Sequence, residues 1–180
     1  MSADEDTRPL PRKASCPERP LSAPLKRTLE ALIAGFGGFL VIFLLAELSS
    51  NLGRLLLIAP FGASCVLVFA LPQTPVAQPR NVIGGHLVAT LVGLVISALL
   101  GATPLGFALG VGLAISAMSL TSTLHPPAGA DPIIAITLGA SWSFLFVPVL
   151  LGAVVITAFG VAFHWKISGK TYPLAPTSQR

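Results

Sequence analysis

The fold depends on the stretch Leu124-His125-Pro126-Pro127-Ala128-Gly129-Ala130-Asp131-Pro132, which interrupts otherwise apolar sequence. Each of its prolines removes a backbone N–H donor and pushes the preceding residue towards extended geometry, so a helix cannot run through it. Apolar helical sequence flanks the stretch on both sides. Irregular backbone at membrane depth is tolerated only where protein or a water-filled cavity covers it. The stretch is therefore either a turn at a helix end on the surface or the lining of a site.

The composition places the chain in a membrane. Of its 180 residues, 53% are hydrophobic and 10% are charged, and the mean hydropathy is +0.83. Soluble domains carry about 25% charged residues, so this chain could not solvate its own surface. The lipid bilayer is thus an expected partner. Nucleic acid is not, because no basic stripe is interleaved with aromatic residues. Cys16 and Cys65 have no metal-binding or redox spacing, and we expect no cofactor or metal.

Apolar runs long enough to be membrane spans cover residues 29–48, about 82–100, 104–121 and 144–163. A run of about 20 apolar residues crosses about 30 Å of hydrocarbon. Two shorter apolar pieces, residues 55–71 and 133–138, are interrupted or bounded by proline and glycine.

Basic residues flank the first and last spans and set the orientation. Lys26 and Arg27 precede the first span, and Lys166 and Lys170 follow the last. This pattern predicts that both termini are cytoplasmic. The chain would then cross the cell membrane, or the inner membrane of a bacterium with two membranes, several times. We predict a disordered, proline-rich cytoplasmic tail, a transmembrane domain and a cytoplasmic C-terminal tail, over residues 1–24, 25–166 and 167–180 respectively.

An internal repeat becomes visible when the chain is shifted by 67 residues. The repeat units cover residues 29–99 and 101–166, and each consists of a span, a break with a short helix, and another span. The shift superposes two pairs of glycines in the spans and four pairs of residues in the breaks. These pairs are Gly85 with Gly152, Gly93 with Gly160, Pro60 with Pro127, Gly62 with Gly129, Ala63 with Ala130, and Ser64 with Asp131.

Each break is predicted to start a half-helix. Ser64 and Asp131 are good N-cap residues, and the half-helices would cover Cys65–Leu71 and Pro132–Leu138. At 1.5 Å per residue each is about 11 Å long, too short to cross a bilayer. Half-helices that begin inside the membrane direct unpaired N–H groups and partial positive charge towards a common point, which would attract an anion. The alternative is that both residues simply cap helices at the surface.

The candidate substrate-binding residues belong to the two breaks. His125 could donate a hydrogen bond to an anion or take up a proton, since its ordinary pKa is about 6.5. His125 and Asp131 would be the only plausible catalytic pair, and neither a nucleophile motif nor a metal-ligand cluster accompanies them, so we do not expect an enzyme. The candidate set is Pro60, Gly62, Ala63, Ser64, His125, Pro126, Pro127, Gly129 and Asp131.

Three of the remaining polar residues are expected at the membrane interface: Glu47 at the end of the first span, Arg80 before the second and His164 at the end of the last. His86 lies at the entry of the second span. Small residues recur at four-residue spacing and predict close helix packing. Because four spans make a thin bundle, we expect some of these small faces to pack against another subunit of a homo-oligomer. The faces are Gly85-Ala89-Gly93 and Gly106-Gly110-Ala114.

The two breaks resemble those of the HPP family of integral membrane proteins, named for the tripeptide seen here as His125-Pro126-Pro127. The resemblance includes Ala59-Pro60-Phe61-Gly62-Ala63-Ser64 and the proline-rich linker that leads into Asn81-Val82-Ile83-Gly84-Gly85-His86. It covers about residues 29–166. It implies four membrane-spanning helices and, because some plant and cyanobacterial relatives are implicated in nitrite transport, a transport function. Some members also carry cytoplasmic CBS domains, for which this chain has no room.

We therefore expect an all-α membrane protein with four transmembrane helices, two re-entrant half-helices and an internal two-fold repeat. The alternative topology counts the half-helices as crossings and gives a three-plus-three inverted repeat. The expected function is a transporter or channel for a small inorganic anion, most of all a nitrite-like one. The alternative is a membrane scaffold or partner subunit without transport activity.

Overall fold

The computed structural model describes residues 23–175, and all regular structure in that range is helical. This confirms the all-α fold. The predicted tail, residues 1–24, lies almost wholly outside the described residues. The α-helices are α1 (Ala23–Leu52), α2 (Ala59–Cys65), α3 (Pro79–Leu100), α4 (Pro104–Leu120), α5 (Asp131–Thr137) and α6 (Leu151–Phe163).

Short turns extend the two shortest helices into longer units. A π-helical turn, Val66–Ala70, continues α2 without a break, and a 3-10 turn, Pro126–Ala130, leads directly into α5. We call residues 59–70 the first half-helix and residues 126–137 the second half-helix. Further 3-10 and π-helical turns cover Pro75–Ala77, Trp142–Leu145, Phe146–Leu150 and His164–Ser168.

Three helical stretches are long and apolar enough to cross a membrane: Pro24–Leu52, Pro79–Leu100 and Trp142–Ser168. The apolar helix Pro104–Leu120 has 17 residues and is about 25 Å long at 1.5 Å per residue. The first half-helix is also apolar but measures only about 18 Å. The described range therefore combines several spans with shorter apolar helices, as expected for a multi-pass membrane protein.

The linker between the first half-helix and α3 lies beside the start of α1 and the end of the described chain. Tyr172 Oη donates to the Ala77 carbonyl at 3.0 Å, and the Leu174 N–H donates to Gln78 Oε1 at 2.8 Å. A cavity at this end is bordered by Glu30 of α1, by linker residues and by Lys170. The six-crossing alternative predicts this placement of the linker, whereas re-entrance predicts the opposite end of the bundle.

Glycines of the long helices make room for the half-helices. A Cβ atom on Gly93 of α3 would lie 3.2 Å from Ala135 Cβ, and one on Gly160 of α6 would lie 2.5 Å from Val68 Cγ1. Because Gly93 and Gly160, and likewise Val68 and Ala135, are each 67 residues apart, the two contacts are equivalent in the repeat. Each unit thus packs its half-helix against the last span of the other unit.

The small-residue faces are filled within the single chain. Gly110 of α4, like Gly93, lies against Pro132, where a Cβ atom would come within 3.2 Å of Pro132 Cβ. Close packing of these faces is therefore confirmed. They supply no reason for a second subunit, and the homo-oligomer remains a prediction. All six residues of the two faces are buried: Gly85, Ala89, Gly93, Gly106, Gly110 and Ala114.

Candidate functional site

His86 connects the two half-helices through one imidazole ring. It lies two turns into α3, and its side chain is fully buried. Its Nε2 is 2.8 Å from Ser64 Oγ in the first half-helix, and its Nδ1 is 2.7 Å from Asp131 Oδ2 in the second. The edge of its ring meets Phe61, with the ring centroids 5.2 Å apart. The two residues that the repeat superposes, Ser64 and Asp131, are therefore held on opposite sides of one histidine.

His125 extends this row of hydrogen bonds towards the linker. Its Nε2 is 2.8 Å from Ser64 Oγ, and its Nδ1 is 2.7 Å from the Val76 carbonyl. The resulting row runs from Val76 through His125, Ser64 and His86 to Asp131. We call Ser64, His86, His125 and Asp131 the polar cluster; each has 0% of its surface exposed.

The polar cluster is costly to bury, and most of its polar atoms are satisfied. A buried polar group without a hydrogen bond costs about 1–3 kcal/mol by protein mutational data. Thr90, one turn beyond His86, donates to Asp131 Oδ2 at 3.3 Å. Asp131 Oδ1 is buried and has no hydrogen-bond partner among the described residues. The carboxylate therefore keeps one free acceptor inside the cluster.

Donor and acceptor chemistry sets the smallest number of protons that satisfies the contacts of the cluster. A carbonyl oxygen only accepts, so His125 Nδ1 must carry a hydrogen and donate to Val76. Suppose that His86 is also neutral and carries its one ring hydrogen on Nδ1. The Nε2 atoms of His86 and His125 would then both be acceptors without a hydrogen, and both would face the Ser64 hydroxyl group. Ser64 has a single hydrogen and could satisfy only one of them. One additional proton, shared by His86 and Asp131 or by His125, satisfies every contact in the row.

Neither Ser64 nor Asp131 is an N-cap, so that prediction was wrong. The first half-helix begins at Ala59 after the extended residue Ile58, and Ser64 lies in its second turn with Oγ 3.2 Å from the Pro60 carbonyl. Asp131 follows the 3-10 turn and makes no capping hydrogen bond. Proline favours the first turn of a helix because its missing N–H is not needed there. Pro60 and the prolines of the second break therefore start each helix several residues before the predicted cap.

The half-helices meet through side chains near their amino ends. Ser64, in the second turn of the first half-helix, contacts His125, which precedes the second half-helix. The amino-terminal parts of the two half-helices are therefore in contact. The groups that meet are side chains, and the predicted shared site of backbone N–H groups is replaced by a hydrogen-bonded cluster.

The structure divides the predicted site residues into two groups. Ser64, His125 and Asp131 meet in the polar cluster, and Pro60 and Pro127 are buried. The other members lie farther out: Gly62, Ala63 and Pro126 are exposed and Gly129 is half-buried. Gly62 borders an apolar cavity of about 520 Å³ between α1 and the first half-helix.

The sequence interpretation missed His86 and Thr90. We placed His86 at the entry of the second span and gave it no role, but it lies at the centre of the site. The signal was its position: His86 and Thr90 are four residues apart and share the helix face of the small residues Gly85 and Ala89. A polar pair on a packing face inside an apolar span is costly and is most often functional.

His164 is also more deeply placed than expected. We predicted an interfacial residue, but its side chain is fully buried, and Nε2 is 2.8 Å from the Val68 carbonyl. Its Nδ1 is 2.5 Å from Ser168 Oγ. His164 thus ties the end of α6 to the first half-helix, outside the polar cluster.

Two kinds of chemistry fit the order of groups in the cluster. Ser64, His86 and Asp131 have the nucleophile–base–carboxylate order of a hydrolytic triad. However, Ser64 has no exposed surface, and its oxygen is also bound to His125, so no acyl substrate can reach it in this conformation. The same groups can pass or store a proton without any access for a large substrate. The catalytic pair considered from the sequence is not formed, because Asp131 pairs with His86 instead of His125.

Comparison with known proteins agrees with the helical architecture. Two transmembrane proteins of Dictyostelium discoideum are similar to the chain. One is 36% identical over 151 residues, which cover 79% of this chain and 53% of the relative. The other is 32% identical over 164 residues, which cover 86% of this chain and 53% of the relative. The chain thus spans about half the length of the curated relatives it matches, and no solved structure matches it significantly.

The family comparison covers the membrane region described above. The model of the HPP transmembrane region matches residues 23–173, a range that includes both half-helices and the whole polar cluster. On this match, the chain belongs to the HPP family of transmembrane proteins.

Proposed function

We propose that this protein transports a small inorganic anion, most of all nitrite, across the membrane at the polar cluster. The supporting observation is the burial of Ser64, His86, His125 and Asp131 among apolar helices at the point where the two half-helices meet. Ionisable groups inside a membrane protein are rare and mark substrate or proton pathways. Broken helices in repeated halves hold such sites in secondary transporters.

The closed form of the cluster favours a transporter over an open channel. All four side chains have no exposed surface in this conformation. An ion can reach them only after the half-helices move relative to α3 and α6, against which they pack through Gly93 and Gly160. Alternating access requires this kind of movement of one repeat against the other.

The charge of Asp131 is compatible with an anionic substrate because His86 lies beside it. The 2.7 Å contact pairs the carboxylate with an imidazole that can carry a positive charge. An anion arriving at His125 or Ser64 would meet hydrogen-bond donors, with the carboxylate on the far side of the His86 ring. The imidazole rings thus replace the helix ends as the groups that attract the substrate.

A flux assay tests the proposal directly. Purified protein is reconstituted into liposomes, and uptake of nitrite, nitrate, formate, chloride and bicarbonate is compared with that of empty vesicles. We expect nitrite to enter faster than chloride, and faster than into empty vesicles. Uptake of none of these anions above the empty-vesicle rate would contradict transport and favour a membrane scaffold or partner subunit.

A further inference from the structure

We propose that the polar cluster is a proton-coupling site. Counted beyond an ionised Asp131 and two neutral imidazoles, it alternates between holding one and two protons, so that one proton crosses with each anion. This inference rests on the proposed transport function and adds its coupling ion and stoichiometry. It comes from the geometry of a single hydroxyl group, that of Ser64, which lies within hydrogen-bonding distance of three groups. These are His86 Nε2 at 2.8 Å, His125 Nε2 at 2.8 Å and the Pro60 carbonyl at 3.2 Å.

With one proton, the cluster is electrically neutral and fully bonded along the row. His86 is an imidazolium paired with the Asp131 carboxylate, and its Nε2–H donates to Ser64 Oγ. The Ser64 O–H then donates to the bare Nε2 of His125, whose Nδ1–H donates to Val76. Every contact in the row has one donor and one acceptor, and only the Ser64–Pro60 contact lacks a hydrogen in this state.

The positive charge can move from His86 to His125 by a two-proton relay through the Ser64 hydroxyl. The His86 Nε2–H bond breaks as a new O–H bond forms on Ser64, and the original Ser64 O–H bond breaks as a new N–H bond forms on His125. His86 is left neutral, His125 becomes an imidazolium, and no electrons are gained or lost. The equal distances of 2.8 Å on the two sides of Ser64 suit this transfer.

A second proton can be held without leaving any of these groups unpaired. Both Nε2 atoms then carry hydrogen and donate to the two lone pairs of Ser64 Oγ, and the Ser64 hydroxyl donates to the Pro60 carbonyl instead. The cluster now carries one net positive charge, which balances a bound monovalent anion. With no mobile proton, in contrast, one Nε2 atom is a buried acceptor without a donor.

We assign this proton exchange to the polar cluster alone, because the neighbouring polar side chains described below have other contacts. On the first half-helix, the neighbour of Ser64 is Cys65, whose thiol is buried in the apolar core. On α3, Thr90 donates to Asp131, and Arg80 lies at the linker end with Nη2 3.2 Å from the Thr121 carbonyl. The linker contributes the Val76 carbonyl, and the buried Thr157 of α6 donates its hydroxyl to the Ala153 carbonyl of its own helix.

The first test measures protons and anions together. The full chain is reconstituted into liposomes that contain a pH-sensitive dye. Nitrite is then added at slightly alkaline pH with the membrane potential clamped at zero, and empty vesicles report passive leakage of nitrous acid. We expect a one-to-one ratio of protons to nitrite and no dependence of uptake on membrane potential. Nitrite uptake without protons would overturn the coupling and leave the transport proposal standing.

The second test does not require transport. Histidine ring nitrogens labelled with nitrogen-15 are followed by NMR during a pH titration of the full chain in bilayers. We expect the His86 and His125 signals to change together in the wild-type protein and separately in Ser64→Ala. The His164 signal is the matched control, because this buried histidine is bonded to Val68 and Ser168 instead, and it should not respond to Ser64→Ala.

The two tests separate the possible failures. If the vesicles show no anion uptake at all, the transport proposal fails, and the NMR titration alone decides whether the cluster shares a proton. Independent titration of His86 and His125 in the wild-type protein would overturn the shared proton whatever the flux result.

Discussion

At the scale of single residues, the side chains of the site are linked by hydrogen bonds between residues far apart in the sequence, which no local sequence pattern indicates. Ser64, His86 and Asp131 are separated by 22 and 45 residues in sequence, yet they lie in one row of hydrogen bonds. The sequence indicated Ser64, His125 and Asp131 because they occupy the proline-rich breaks. His86 lies in a regular helix and is aligned with Ala153 in the repeat, so neither a break nor the repeat singled it out.

Removing the whole Asp131 side chain should destabilise the protein more than removing its charge alone. Asp131→Ala leaves the His86 Nδ1 group buried without a partner, and we expect the free energy of unfolding to fall by about 3 kcal/mol. Asp131→Asn keeps an acceptor for that N–H and should lose about half as much. Equilibrium unfolding of both variants in the same detergent checks the order. Equal stabilities of Asp131→Ala and the wild-type protein would contradict the pairing.

The burial of Ser64 predicts that it does not react as a hydrolase nucleophile. A fluorophosphonate probe, which modifies activated serines, should not label the native protein, because the Ser64 hydroxyl has no exposed surface and is bonded to two imidazoles. Labelling is read by mass spectrometry of the intact chain, with Ser64→Ala as the control. Modification that is lost in Ser64→Ala would point to an enzyme.

At the scale of helices, the sequence predicted the existence of the half-helices and the end of the second one. Gly139, where we ended it, has a positive φ of 53°, a conformation that glycine adopts easily. The starts were wrong because proline initiates a helix before a side-chain cap is needed. The side-chain contact between Ser64 and His125 could not be predicted, since the two residues belong to different repeat units.

Packing of the half-helices against the long helices should be sensitive to one methyl group. In Gly93→Ala the new Cβ would lie 2.6 Å from the Pro132 backbone, so we expect the free energy of unfolding to fall by about 1–3 kcal/mol. The matched control is Gly112→Ala in α4, where no neighbouring atom lies within 4 Å of the new Cβ. That change should be neutral or stabilise the protein by up to about 1 kcal/mol. A Gly93→Ala protein as stable as Gly112→Ala would contradict the close packing.

At the scale of the whole molecule, composition alone identified a membrane protein, and the flanking charges gave an orientation that stays a prediction. The number of crossings could not be read from hydropathy. Residues 59–70 are too short to be recognised as a span, yet they connect an extended piece after α1 to the linker before α3. Only the position of that linker distinguishes six crossings from re-entrance.

Cysteine labelling should place the linker on the same side as the start of α1. In a background without Cys16 and Cys65, we would compare Gln73→Cys in the linker, Thr28→Cys near the start of α1 and Asn51→Cys near its end; all three positions are exposed. We expect a membrane-impermeant maleimide to label Gln73→Cys and Thr28→Cys from one side and Asn51→Cys from the other. Labelling of Gln73→Cys together with Asn51→Cys would support re-entrant half-helices.

The most direct measurement is nitrite uptake into liposomes by the wild-type protein, Asp131→Asn and His164→Gln under one proton gradient. Asp131→Asn removes the charge that holds the proton on His86, whereas His164→Gln changes a buried histidine outside the polar cluster. We expect Asp131→Asn to lower uptake about 100-fold, as for loss of a positioned proton-transfer group, while His164→Gln stays near the wild-type rate. Equal uptake by the wild-type and Asp131→Asn proteins would show that the polar cluster does not serve transport.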